Sequence, residues 1–207
     1  MRKLPLPVNI RQKWFAGACA VLACAALYTT AAALSRARAV PLNVFEWEQA
    51  IPFWSITVWT YLAQYPLLLL AFGQCRDLPR CGRFLYAALL MQAWAAMIYL
   101  AYPVRAPRPD LTQLRELDRL SAWLVRGVHT IDAPVNCLPS LHVSSCLLCL
   151  WLIAGESRPF VRAFALASLI CIASTLTFKQ HYVVDLLLGA VLAAAAWGLA
   201  GKLTQRG

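Results

Sequence analysis

Charge is scarce along this chain. Asp, Glu, Lys and Arg make up 14% of its 207 residues, only nine of them acidic, while 61% of positions are hydrophobic. Soluble domains carry charge at about a quarter of their positions, so the composition excludes an ordinary soluble globular protein and reads as an integral membrane protein. No internal repeat or low-complexity tract breaks the chain, which is read as one domain over residues 1–207. Cys75 and Cys81, the best-placed pair for a metal, match none of the usual zinc spacings, so no metal site and no cofactor is expected.

What the chain has instead is a series of apolar runs. A helix needs about 20 residues to cross the hydrocarbon core, and six stretches qualify by length or apolarity: 14–34, 51–72, 84–102, 141–155, 160–178 and 182–201. The fourth is the shortest and is closed by Glu156 and Arg158. Met1-Arg2-Lys3 ahead of the first run resembles a signal peptide, with Ala31-Ala32-Ala33 as a weak cleavage pattern. The run is nevertheless as long as a span, and a retained first helix is expected.

If six helices alternate, Arg2, Lys3, Arg11, Lys13, Arg76, Arg80, Arg83, Arg158, Arg162, Lys202 and Arg206 share one side, eleven of the nineteen basic residues. That side is expected to be cytoplasmic, with both termini. The net charge of +10 thus follows membrane topology rather than nucleic-acid binding. Short loops and an Ala/Arg-rich composition lean toward a bacterial inner membrane. Cys19, Cys24, Cys146, Cys149 and Cys171 fall inside apolar runs, where a thiol behaves as a small hydrophobe. Cys75 and Cys81 lie on the cytoplasmic side, where disulfides are rare, and Cys137 alone falls outside.

The same alternation puts Arg105, Arg108, His142, Lys179, His181 and Asp185 on the opposite, extracytoplasmic side. The longest connection, from Pro103 to about Pro139, lies there too. Within it Asp110 is a helix N-cap with Gln113 three residues on, and Leu111, Leu114, Leu117, Leu120 and Leu124 repeat at helical spacing. This amphipathic helix is expected either to lie in the headgroup region with Trp123 or to pack over the bundle; both placements roof a site.

Ionisable groups at a bilayer edge are costly and mark working sites. His181 and Asp185 are four apart, so on a helix they share a face, and the carboxylate holds the ring nitrogen that does not react. An oriented neutral imidazole is a competent nucleophile. His142 follows Pro139-Ser140, a helix entry with Ser140 as N-cap, where free backbone N–H groups favour an anion and His142 is placed to protonate a leaving oxygen. Arg105 and Arg108 supply guanidinium forks suited to phosphate, with headgroup anchoring as the plainer role. Asp132 and Asn136 either contact a headgroup or simply shape a turn. Together these groups point to phosphoryl chemistry.

Pro139 to His142, together with Ser174, His181 and Asp185 and with Arg108-Pro109, resembles the three-part signature of the type 2 phosphatidic acid phosphatase superfamily. The likeness covers roughly residues 84–200. It implies that His181 attacks phosphorus to form a phosphohistidine, Asp185 orients it, and His142 acts as general acid and then activates the acceptor. Three signature positions differ: Ala101 stands for a lysine, Thr175 for an arginine and Leu141 for a glycine. Arg105 and Lys179 are the expected replacements for the two lost cations.

These departures, with Asp132 to Val143 and Lys179 to Asp185, are most similar to the branch containing inositol phosphorylceramide synthase and sphingomyelin synthase. The expectation is therefore an all-α bundle of six transmembrane helices, with an extracytoplasmic amphipathic helix between the third and fourth. It acts without metal on a lipid phosphate among membrane lipids, by hydrolysis or by transfer to an alcohol, with no role for nucleic acid. Oligomeric state stays open. The rival reading is a noncatalytic scaffold or lipid transporter, in which small residues such as Ala16, Ala20 and Cys24, or Ala190, Ala194 and Gly198, serve close helix packing.

Overall fold

The computed structural model describes residues 4–109, 111, 119–132 and 134–204. Helix α1 spans Ile10–Ser35 and begins where the Asn9 side chain accepts a hydrogen bond from the Gln12 backbone at 2.9 Å. After it come strand β1 (Val40–Pro41) and the short helix α2 (Glu46–Gln49). The second span is interrupted: a 3-10 turn leads into α3 (Val58–Leu62), and α4 (Gln64–Gln74) follows immediately. Pro66 explains the break, because it donates no hydrogen bond to Leu62, four residues back, and its ring crowds that carbonyl.

Helix α5 (Leu78–Ala101) starts at an Asp77 cap with a proline in its first turn, a position where a missing N–H costs nothing. Strand β2 (Val104–Arg105), α6 (Arg119–Ile131), α7 (Leu141–Leu152), α8 (Arg158–Thr177) and α9 (Val183–Thr204) complete the order. Among the described residues five segments are long and apolar enough to cross a membrane: Ile10–Arg38, Ser55–Gln74, Leu78–Ala101, Arg158–Thr177 and Val183–Thr204. The expected fourth span is shorter than the others. Its 12-residue helix is about 18 Å long, well under the roughly 30 Å of a hydrocarbon core.

The fold is inside-out relative to a soluble protein. Large side chains such as Leu22, Leu69, Leu166, Leu169, Leu187 and Val191 face outward, whereas Ala87, Ala95, Ala193, Ala196 and Ala200 are fully buried. Small residues let helix backbones approach in a bilayer, and α5 accordingly packs against α1, α7 and α9. On α1 the stripe includes Ala20, as its spacing suggests. On α9 the buried stripe runs through Gly189, Ala193, Ala196 and Ala200, offset from the expected Ala190, Ala194 and Gly198.

Two ends are distinct. At one, the Lys13 ammonium donates to the Cys75 carbonyl at 2.7 Å and the Arg83 guanidinium lies 4.1 Å from the Trp197 ring while donating to that residue's carbonyl. Of the cations expected on the cytoplasmic side, Lys13 thus closes the end of α4 and Arg83 pins α5 to α9. At the other end, β1 and β2 pair in parallel, Val40 opposite Val104 and Pro41 opposite Arg105, and Val104 bridges to Asn136. Three connections are thereby gathered over the start of α7.

Helix α6 covers this second end. Val125 packs with Val58, Tyr61 and Phe178, joined by Leu111 and Leu124, and Trp59 Nε1 donates to Ser121 at 2.9 Å. Leu120, Trp123 and Ile131 are exposed. The described part of the amphipathic segment therefore packs over the bundle; its expected start, with Asp110, Gln113, Leu114 and Leu117, lies outside the described residues. All eight cysteines are free thiols, and Cys137 is buried.

Candidate active site

The turn between α8 and α9 shapes the site. Lys179 adopts φ 55°, the left-handed conformation that ends many helices and is usually given to glycine. The Gln180 and His181 N–H groups then both donate to the Thr175 carbonyl, at 3.1 and 3.2 Å. The strained residue is held by its own side chain, whose ammonium donates to the Glu48 carbonyl at 2.7 Å. Burial lowers the Lys179 pKa, and the nearby Glu48 opposes that shift.

Glu48 is itself nearly fully buried, at 1% exposure. One of its oxygens accepts from Phe45 N and the other from Val183 N, at the open first turn of α9. Asp185 does similar work for its own helix: Oδ2 accepts from Tyr182 N at 2.9 Å. The same Oδ2 stands 3.4 Å from His181 Nδ1, and Nδ1 also lies 3.0 Å from the Cys137 carbonyl oxygen. Two acceptors around Nδ1 assign the proton to that nitrogen, leaving the lone pair on Nε2. His181 precedes the first residue of α9, so the pair is built by a helix entry rather than along a helix face.

The start of α7 is tied to the start of α9. Ser140 N donates to the Asp185 carbonyl at 3.0 Å, Ser140 Oγ caps Val143 N, and Ser144 Oγ reaches the Gly189 carbonyl at 2.7 Å. A Cβ on Gly189 would come within 2.4 Å of the Ser140 carbonyl oxygen, so this close approach requires glycine. Tyr99 adds a bond to the Pro139 carbonyl at 2.9 Å. As a result the His142 and His181 rings lie 5.8 Å apart, centroid to centroid, with only 7% and 6% of each residue exposed. His142 Nε2 and Asp185 Oδ1 have no hydrogen-bond partner among the described residues.

A second polar group adjoins the first. The His142 ring stacks on Tyr61 at 4.1 Å and 25°; the Tyr61 hydroxyl donates to Asp132 Oδ2 at 2.8 Å, and the Tyr28 hydroxyl donates to Oδ1. Arg108 donates to the carbonyls of His129 and Asp132, closing the end of α6. Burial lowers its pKa while Asp132 raises it. Asn136 donates to the Tyr28 carbonyl at 3.0 Å, and its own Oδ1 has no partner among the described residues.

The expected site residues thus divide. His142, His181, Asp185 and Ser140 converge, although the Ser140 N–H and hydroxyl are already engaged in joining helices. Arg108, Asp132 and Asn136 form the adjoining group, and Lys179 buttresses the turn. Arg105 does not converge: it is exposed and donates to the Arg36 carbonyl at 3.3 Å. Tyr61, Tyr28, Glu48 and His129 were not anticipated. His129 packs its ring edge-on to Phe178 at 5.8 Å, and burial, then Arg108, pushes its pKa down to about 4. Its rarity was the one available signal, since the chain has three histidines. Among the described residues no group of His, Cys, Asp and Glu is arranged to hold a metal ion.

An α-helical membrane fold with a buried His-His-Asp cluster at one end defines a class of integral membrane protein built around an ionisable site. The sequence profile of the PAP2 superfamily matches residues 26–199, most of the chain, and the protein belongs to that superfamily. Its members are metal-independent phosphatases and phosphotransferases, and membership points to a lipid phosphate as substrate. No curated protein and no solved structure gives a significant match.

Proposed function

We propose that this protein cleaves a lipid phosphate ester through a phosphohistidine on His181, with His142 as the acid. The observation that carries the reading is the placement of His181 Nδ1 between the Cys137 carbonyl and Asp185, with the second imidazole 5.8 Å away. In the first step Nε2 of His181 forms a bond to phosphorus while the bond from phosphorus to the lipid oxygen breaks. A proton from His142 passes to that oxygen, and Asp185 stabilises the cationic ring. In the second step His142 takes a proton from water or from an alcohol, whose oxygen displaces His181.

Hydrolysis and transfer share the phosphoenzyme. The burial of both rings favours transfer to a hydroxyl that binds there, as in an inositol phosphotransferase-type reaction, over attack by bulk water. Arg108, beside the Asp132 group that adjoins His142, and Lys179, two residues before His181, are the cations proposed to stand in for those missing from the signature. The distribution of basic residues supports an extracytoplasmic site in a bacterial inner membrane, within a six-helix bundle whose fourth member is α7, with both termini cytoplasmic. Purified protein given phosphatidic acid or an isoprenoid phosphate should release the lipid alcohol, with inorganic phosphate as the second product in water alone and a polyol phosphate when a polyol such as inositol is the acceptor. Turnover that survives His181→Ala would refute the reading.

A further inference from the structure

We infer that Tyr61 is a positioning residue for His142, held by Asp132 and Tyr28; the inference rests on the phosphohistidine reading above. His142 is the second residue of α7, and its Nε2 has no partner among the described residues. What the structure provides for this ring is a flat surface. Tyr61 lies parallel to it within 25° at 4.1 Å, close enough to fix the ring plane. Tyr61 is itself 2% exposed and is tilted against Phe178 at 5.1 Å, so it has little freedom to turn.

The hydroxyl completes the clamp. It donates at 2.8 Å to Asp132, whose second oxygen accepts from Tyr28, and Arg108 donates to the Asp132 carbonyl. A carboxylate withdrawn from water is costly unless hydrogen-bonded, and here two phenols donate to the half-buried Asp132 side chain while the Arg108 guanidinium lies nearby. The unit links α1, α3 and the end of α6, and Tyr61 meets the catalytic pair at His142, through its stacked ring and through its backbone beside that imidazole. Asp132 is thereby a support for the acid rather than a headgroup ligand.

An acid matters most when the leaving oxygen is a poor leaving group and least when it departs without a proton. Rates on an alkyl phosphate, phosphatidic acid in mixed micelles, and on an aryl phosphate, p-nitrophenyl phosphate, therefore separate positioning of the acid from general damage. His142→Ala should lower the alkyl rate by about 100-fold or more, and much less the aryl rate. Tyr61→Phe, which keeps the ring and loses the hydroxyl, and Asp132→Asn should each lower the alkyl rate about 10-fold more than the aryl rate. Equal losses on the two esters, or no loss, would overturn the inference. Loss of neither rate in His181→Ala would instead overturn the phosphohistidine reading.

A second measurement needs no turnover. In detergent-solubilised full-length protein, diethyl pyrocarbonate should modify His142 faster in Tyr61→Leu than in the parent, with His181 little changed by peptide mapping. Equal acceleration at both histidines, or at neither, would contradict a role specific to His142.

Discussion

Asp185 has one oxygen doing two jobs. Oδ2 accepts from Tyr182 N, just ahead of its own helix, and faces His181 Nδ1, so changing this residue acts on the helix entry and on the imidazole together. Asp185→Asn keeps the shape and loses the charge that stabilises a cationic ring; turnover should fall about 100-fold or more, measured as phosphate release, while the thermal midpoint changes little. His129 gives a pH effect of definite sign. Its folded pKa of about 4 lies below the ordinary 6.5, so the unfolded chain takes up the proton first as pH falls. Stability tied to this residue is whole above about pH 6.5 and is lost progressively toward pH 4. Thermal unfolding of His129→Phe should show a shallower decline than the parent across that window. Equal slopes would show that His129 is not buried neutral.

Among the elements, α7 carries the most function on the least length. Its position depends on α9 through Ser140, Ser144 and Gly189. Gly189→Ala drives a methyl into the Ser140 carbonyl, so it should destabilise the protein by about 1–3 kcal/mol and reduce turnover together with the thermal midpoint, read by heating the detergent-solubilised protein. The pair at positions 181 and 185 was legible because four-residue spacing brings side chains together both along a helix and across its entry. The Ser140 cap was legible for the same local reason. Tyr61 and His129 were not: the first meets His142 because α3 is brought against the start of α7, and the second meets Phe178 because α6 folds over the end of α8. Arg105 misled because closeness in sequence to Arg108 ignores strand β2, which turns it toward Arg36. The break at Pro66 was readable in principle from the proline alone, whereas the shift of the small-residue stripe on α9 depends on which neighbours it packs against.

Across the whole molecule, helices alternate between an end with buried Lys13 and stacked Arg83 and an end with the His-His-Asp cluster. If the basic end is cytoplasmic, a reporter fused after Gly207 should be cut by protease in inverted membrane vesicles and protected in intact spheroplasts; the reverse would place the site inside. The apolar composition made the membrane class evident and the amphipathic leucines marked a roof over the site, while the choice between packing over the bundle and lying among headgroups needed the tertiary structure. The central claim concerns His181, and its most direct test is to quench the full-length protein during turnover of a 32P-labelled lipid phosphate and map the label. The account predicts an acid-labile phosphoryl group on the peptide carrying His181, absent from His181→Ala, which is inactive. Label on another residue during turnover, or undiminished turnover in that variant, would contradict it.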